Sequence, residues 1–339
     1  MVKISVPADL SAFDRTAEFI FTGSTAEADT PIEARLENAD NGEVLAARRL
    51  RLGHDSTAKF DVAPLLRRAA MLQPSDRPTG LAAAEGAAFR VRMRVDTVVS
   101  DIVTLVCTRP QTGTTALLCE SAAGGSGTAG GSGTATVPVR RRLARGESDV
   151  LTFFAAGAFT VTLEAATDSA SRSYTYRWEG AGGIVALRLR TSDFSAQTRR
   201  ITVRLNGTVV AICDIGEPAA GGVRMAWRTR SGLMEHYTFA SVVRRMQVSG
   251  APRVQTADGA IAAAGGSHIE TVVKSHCEPA ATAELLAGIV ASPQVWAVDD
   301  ATGVYEPLTV VTQQAESHRW GRPTSVELTV RPSKNGVRS

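Results

Sequence analysis

Apolar and polar residues alternate along much of this chain. Phe89-Arg90-Val91-Arg92-Met93-Arg94-Val95 places apolar side chains on one face and arginines on the other. This period of two predicts a half-buried antiparallel strand with a wet outer surface. Val2, Ile4 and Val6 repeat the pattern, as do Ile32, Ala34 and Leu36; Phe159, Val161 and Leu163; Tyr174, Tyr176 and Trp178; and Leu187 and Leu189. Residues 201–205 and 208–212 are two β-rich runs separated by Asn206-Gly207, which specifies a two-residue type I′ hairpin. Helical signals are few. Asp61-Val62-Ala63-Pro64 leads into Leu65, Leu66 and residues 69–72, a short helix with Asp61 as a cap and Pro64 in the first turn. Residues 279–291 carry Leu285, Leu286, Ile289 and Val290 on one side and predict an amphipathic helix that Ser292-Pro293 stops. Strands at 295–298 and 305–311, an Asp299-Asp300 turn, and a last strand through Val326, Leu328 and Val330 complete the pattern.

These elements predict a mainly β protein: two antiparallel β-sandwich-like domains and a C-terminal α+β region with one amphipathic helix. The expected divisions are an N-terminal β-sandwich at 1–112, a Gly/Ser/Thr/Ala-rich flexible loop or linker at 113–137, a second β domain at 138–222, a hairpin plus helix–strand unit at 223–332, and a frayed tail at 333–339. The linker contains Gly-Gly-Ser-Gly-Thr-Ala at 124–129 and again at 130–135, a low-complexity tract with nothing to bury.

A length of 339 residues suits two or three domains, and a hydrophobic fraction of 44% excludes wholesale disorder. Aromatics make up 5%, so the cores must rest on aliphatic residues. The net charge of +3 is small, and Arg140, Arg141, Arg142 and Arg145 are the dense basic run. No aromatic platform accompanies them, so a solvated domain edge is expected rather than a phosphate-binding patch. Cys107, Cys119, Cys213 and Cys277 form no CxxC pair; a Cys107–Cys119 bridge is an option, and reduced buried thiols are the simpler reading. The opening Met-Val-Lys-Ile-Ser-Val-Pro reads as a strand without the apolar core of a signal peptide, and no apolar run is long enough to span a membrane. Synthesis and first folding in a cytoplasm are expected.

The most informative stretch is Val223 to Phe239. Val223, Met225 and Trp227 share a strand face, Arg230-Ser231-Gly232 makes a turn with Gly232 free to take positive φ, and Tyr237 and Phe239 share a face of the next strand. The expected unit is a hairpin that clusters Trp227, Tyr237 and Phe239, with Trp296 as a further anchor. These are structural and interaction residues; no catalytic, cofactor-binding or metal-binding residue is assigned. Gly125-Ser-Gly127-Thr-Ala-Gly130 matches GxGxxG but lacks the following helix that a pyrophosphate site needs. Asn206-Gly-Thr208 matches a glycosylation sequon that the turn already explains. His268, His276 and Cys277, with Glu270, are capable of holding a metal but match no common zinc spacing. Asp299, Asp300 and Glu306 lie close in sequence, yet Asp299-Asp300 is turn chemistry. Trp178, Trp227, Trp296 and Trp320, with Tyr174 and Tyr176, are either a sugar-stacking platform or core anchors, and inward strand positions favour anchors.

Two segments resemble β-rich, tail-associated virion proteins of phages and prophages from Bacteroidetes-type bacteria. One runs from Trp227 through Gly232 to Tyr237-Thr-Phe239. The other is Glu284-Leu-Leu286, Ala291-Ser-Pro-Gln-Val-Trp296, Tyr305-Glu-Pro-Leu-Thr-Val310 and Val326-Glu-Leu-Thr-Val330. The opening Ile4-Ser-Val-Pro and the Phe60-Asp61-Val62 lead into a helix also fit. The resemblance covers about a third of the chain and rests on packing patterns rather than chemistry. The doubled Gly-Ser-Thr-Ala segment and the high Arg and Ala content depart from it. It implies a non-enzymatic tail, baseplate or fibre-attachment component, located in the virion and made in the host cytoplasm, that is homo-oligomeric and partnered by other tail proteins, with no cofactor, nucleic acid or membrane. The alternative is a carbohydrate-binding or adhesin-type β-sandwich module that meets a surface glycan. A weaker third option is a hydrolase with two facing carboxylates.

Overall fold

A computed structural model describes residues 2–23, 31–72, 78–110, 112–118, 138–218, 220–248, 253–256, 259–262, 267–313 and 324–333. The GxGxxG match, the doubled Gly-Ser-Thr-Ala segment, Cys119, Trp320 and residues 334–339 of the expected tail lie outside them.

The protein is mainly β, as the alternation predicts. The described strands are, in chain order, β1 (Lys3–Ser5), β2 (Ser11–Ala12), β3 (Glu18–Thr22), β4 (Ile32–Asn38), β5 (Val44–Leu50), β6 (Thr57–Asp61), β7 (Gly80–Ala83), β8 (Ala88–Val95), β9 (Val98–Val99), β10 (Val103–Val106), β11 (Ala116–Leu118), β12 (Val139–Ala144), β13 (Ser148–Ala155) and β14 (Phe159–Ala166). They continue with β15 (Ser171–Trp178), β16 (Gly183–Arg190), β17 (Arg200–Leu205), β18 (Thr208–Gly216), β19 (Val223–Arg228), β20 (Met234–Phe239), β21 (Ser241–Val248), β22 (Arg253–Thr256), β23 (Gly259–Ala262), β24 (Ser267–Lys274), β25 (Val295–Asp299), β26 (Val304–Val310) and β27 (Glu327–Pro332). Two α-helices are described, α1 (Ala63–Ala69) and α2 (Ala280–Ala287), the second extended by a 3-10 turn over Gly288–Ala291. No described helix is long and apolar enough to cross a membrane.

The chain divides into two compact units. The first comprises Met1–Leu143, Ser148–Gly216 and Arg230–Met234. Within it, β1-β3-β6 form one sheet and β2-β10-β8-β4-β5 another, with β9 on β8. The inward residues of β8, Val91, Met93 and Val95, are buried, and so are Phe19 and Phe21 of β3 and Phe60 of β6. The α1 helix buries Ala63 and Leu66. Asp61 precedes the N-cap, which is Val62, yet its Oδ1 accepts the Ala63 N–H at 3.0 Å and the Ala17 N–H at 2.9 Å. The acid thus ties the helix start to a distant loop.

The same unit contains a sandwich of β11-β13-β16-β7 and β12-β18-β17-β14-β15. Its core joins Leu151, Phe153, Val185 and Leu187 of one sheet to Val161, Leu163, Ile201 and Val203 of the other. The Asn206-Gly207 turn is as expected, with φ of 47° and 87°. Two features cross the expected divisions. β7, from within 1–112, pairs with β16, Leu81 lying opposite Leu187. Inside the stretch expected as linker, β11 is buried and pairs Leu117 with Phe153. The short run Ala116-Leu117-Leu118 has enough apolar surface to complete a sheet edge.

The second unit comprises Ala144–Glu147, Glu217–Thr229 and Glu235–Ser339. Its main sheet has the order β20-β19-β25-β26-β27-β24-β21. One face is covered by α2 and its 3-10 extension through Ala283, Leu286 and Ile289, as the amphipathic pattern predicts. Ser333, assigned by sequence to the frayed tail, is held: its N–H donates to the Pro307 carbonyl at 2.9 Å.

Candidate interaction surface

The β19–β20 hairpin is built as its pattern requires. Trp227 and Phe239 are buried in one cluster with Met225, Leu286 and Leu328, and Tyr237 packs against it. The Tyr237 and Phe239 rings meet at 73° with centroids 5.0 Å apart. Tyr237 keeps a polar tip: its hydroxyl donates to Glu278 Oε1 at 2.7 Å and accepts the His276 N–H at 3.1 Å. Burial, then the Glu278 carboxylate, push its phenol pKa well above the ordinary value. Gly232 takes φ of 80°, a conformation that favours glycine. Trp296 is buried too, but on the opposite sheet face from the cluster. It lies between Ala226 and Pro307 in register, while its neighbour Val295 faces the cluster. All five sequence-predicted anchors are therefore positions of packing or turn geometry, divided between two faces of one sheet and its turn. Burying side chains such as Phe239 and Met225 stabilises by about 1.5–3 kcal/mol each.

The face that carries Trp296 also carries charge, and sequence reasoning missed it. Arg224 is buried. Its Nη1 donates to Thr238 Oγ1 at 3.1 Å and lies 3.5 Å from Glu147 Oε2, and its Nε lies 3.7 Å from Asp300 Oδ2. Thr238 donates to Glu147 Oε1 at 2.6 Å, and Glu147 Oε2 accepts the Ala144 N–H at 2.7 Å. His236 Nε2 lies 3.3 Å from the Tyr305 hydroxyl. The arginines alternating with Met225 and Trp227 were the visible signal; Glu147, more than seventy residues earlier in the chain, was not. Glu147 and Asp300 place carboxylates beside a buried guanidinium and offset the cost of its burial.

The other polar candidates resolve into structural pairs. On β8, Arg92 and Arg94 converge on Glu37 of β4 at 2.9 and 2.6 Å, and Arg90 pairs with Asp40. The Arg94 hydrogen bond is the largest cause holding the Glu37 carboxyl below its ordinary pKa. The wet face of β8 is thus partly exposed, as its alternation predicts, with its arginines paired to acids of the same unit. In the basic run, Arg140 lies 3.8 Å from Asp214, Arg141 3.4 Å from Asp149, and Arg145 2.8 Å from Glu217. Asp299 accepts the Ala301 N–H and the Thr302 hydroxyl within its turn. Glu270 sits on β24 opposite Arg245, whereas His276 and Cys277 follow the far end of that strand. Among the described residues no group of three or more His, Cys, Asp and Glu side chains is placed to hold a metal.

Of the aromatic row on β15, Tyr174, Tyr176 and Trp178 are partly buried against the sandwich core. β15 is an edge strand, so the row stays open on one side. Arg172 lies over the Tyr174 ring at 5.1 Å, Phe194 meets that ring edge-on at 5.2 Å, and Trp178 Nε1 donates to the Ala181 carbonyl at 3.2 Å.

No protein-family model matches this chain, and no curated protein matches it.

One exposed surface is apolar by construction. β21 and β24 are the last two strands of the seven-stranded sheet, and their outer part forms an arm on which Met246 and Ile269 lie opposite each other, 69% and 47% exposed. The excursion between its strands carries a two-stranded sheet, β22–β23. A ribbon of two strands is marginal alone in water, and one that exposes large apolar side chains is suited to bury them against another surface.

Proposed function

We propose that this chain is a non-enzymatic structural subunit of a phage-type tail, baseplate or fibre-attachment assembly, incorporated in the virion beside other tail proteins. The observation that carries the reading is the exposed apolar arm of β21 and β24 on an otherwise well-packed β unit whose anchors Trp227 and Phe239 lie in the core. Rigid β modules assemble by covering such projecting elements with neighbours. The resemblance of the hairpin and of the α2-to-β27 segment to tail-associated virion proteins supplies the finer class. The decisive experiment is mass spectrometry of particles purified from a host that carries the gene. Recovery of the chain in stoichiometric amount in tail particles supports the proposal; its absence from intact particles overturns it.

A second reading, a glycan-binding module, is favoured by one feature: the half-open row of Tyr174, Tyr176 and Trp178 on the β15 edge. Alternate residues on a strand lie about 6.5–7 Å apart, so the row offers successive apolar faces. This reading predicts glycan-array binding that Trp178→Ala abolishes while the fold is retained. Binding unaffected by that change removes the row from consideration.

A further inference from the structure

The arm has a complementary surface on its own chain. β21 and β24 pair from Ser241↔Lys274 to Val248↔Ser267, but β27 covers β24 only from Lys274↔Glu327 to Thr271↔Val330. The outer pairs, from Arg245↔Glu270 onward, pair with no third strand among the described residues. On the face that begins in the core with Val242↔Val273, the two-residue period next presents Arg244↔Thr271 and then Met246↔Ile269. Met246 is 69% and Ile269 47% exposed, and Arg244 beside them is exposed. The arm is an apolar pair next to a positive charge.

The β8–β9 turn offers the reverse. Val95↔Val98 closes a tight turn through Asp96, whose φ is 50°. Beyond it Val99 is 41% and Ile102 49% exposed, and Asp96 and Asp101 are exposed around them. This knuckle is an apolar pair flanked by two negative charges. An apolar centre with opposite charges at the rim is the composition of a specific protein contact.

We propose that the β21–β24 arm docks on the 96–102 knuckle of a second copy of this chain, Met246 and Ile269 meeting Val99 and Ile102, and Arg244 meeting Asp96 and Asp101. The proposal rests on the reading of the chain as an assembly subunit and names one of its partners. Arm and knuckle are different surfaces, so the contact is heterologous: each copy keeps one of each to offer, and association propagates into a ring or filament.

The test is sedimentation velocity with light scattering on the full chain across the micromolar range. Wild-type protein is expected to associate in a concentration- and salt-dependent manner. Arg244→Glu and Asp101→Lys are each expected to weaken association by at least about tenfold. An equimolar mixture of the two variants is expected to regain it, because the reversed arm of one then faces the reversed knuckle of the other. Met246→Ser, at an exposed site, is expected to weaken association with an unchanged circular dichroism spectrum, which separates docking from folding. A wild-type monomer throughout the range, association indifferent to both reversals, or a mixture that fails to recover overturns the proposal. So does protection of the arm from proteolysis only by a different tail protein. A chain present in tail particles but monomeric by this assay sinks the self-contact and leaves the functional reading standing; a self-associating chain absent from particles does the opposite.

Discussion

Replacing Trp227 by alanine tests whether the hairpin aromatics are core or contact surface. The indole is 2% exposed and shares its cluster with Met225, Phe239, Leu286 and Leu328. Truncation removes the transfer free energy of the indole and leaves a cavity that a sheet pinned by β25 on one side and α2 above collapses into only partly. Such changes cost about 3–5 kcal/mol. A domain holds about 5–15 kcal/mol in total, so the second unit loses a large share of its stability. At roughly 4 °C per kcal/mol, its thermal transition should fall by ~12–20 °C. Scanning calorimetry is the suitable assay, because two compact units need not melt together and their transitions are followed separately. Hydrogen exchange on β19 and β25 locates the effect. A shift of less than about 1 kcal/mol would refute the reasoning, since an indole that contributes so little is not packed as described. Lost ligand binding at unchanged stability would refute it more sharply and return Trp227 to a contact role.

Other changes report on other parts of the molecule. Gly86 has φ of 77°, and a Cβ there would lie 2.2 Å from the Met71 carbonyl oxygen, so Gly86→Ala should destabilise the first unit by at least about 2 kcal/mol in chemical denaturation, and a neutral outcome would mean that this approach is loose. Glu37 has a folded-state pKa held below its ordinary carboxyl value by Arg94 and Arg92, so the stability it contributes is present above the unfolded value and is lost as pH falls through the folded one. The acid limb of a stability–pH profile should therefore flatten in Glu37→Gln, and an unchanged limb would argue against the pairing. The buried Cys213 thiol is pushed up to about 12, chiefly by burial, while Cys277 is exposed. Maleimide should label Cys277 in the native protein and Cys213 only after unfolding, read by mass spectrometry of peptides; native labelling of Cys213 would contradict its burial.

Much of the fold was legible because its signals are local. The period of two in residues 89–95 requires one buried face wherever the strand lies, and β8 buries Val91, Met93 and Val95 accordingly. The Asn206-Gly207 turn and the helix at 280–287 rest on backbone preference and on apolar positions turned to the sheet, Ala283 and Leu286, both written within a dozen residues. The hairpin cluster of Trp227, Tyr237 and Phe239 followed from the same logic. What stayed hidden was pairing at long range. Nothing near Arg224 announces Glu147, nothing near Arg94 announces Glu37, and the three residues of β11 look like the start of a linker until Phe153 lies beside them. The aromatic row of Tyr174, Tyr176 and Trp178 reads as a buried face in sequence; only the position of β15 at a sheet edge leaves it half open. The same holds for the arm, whose alternation continues that of the core while the pairing with β27 ends at Thr271. The amino-acid order determined which residues form strands and which face of each is apolar, because backbone dihedrals and side-chain alternation are properties of neighbours. Only the tertiary structure decided which faces are covered and which charges are paired, because strand order brings together residues whose separation along the chain carries no local trace.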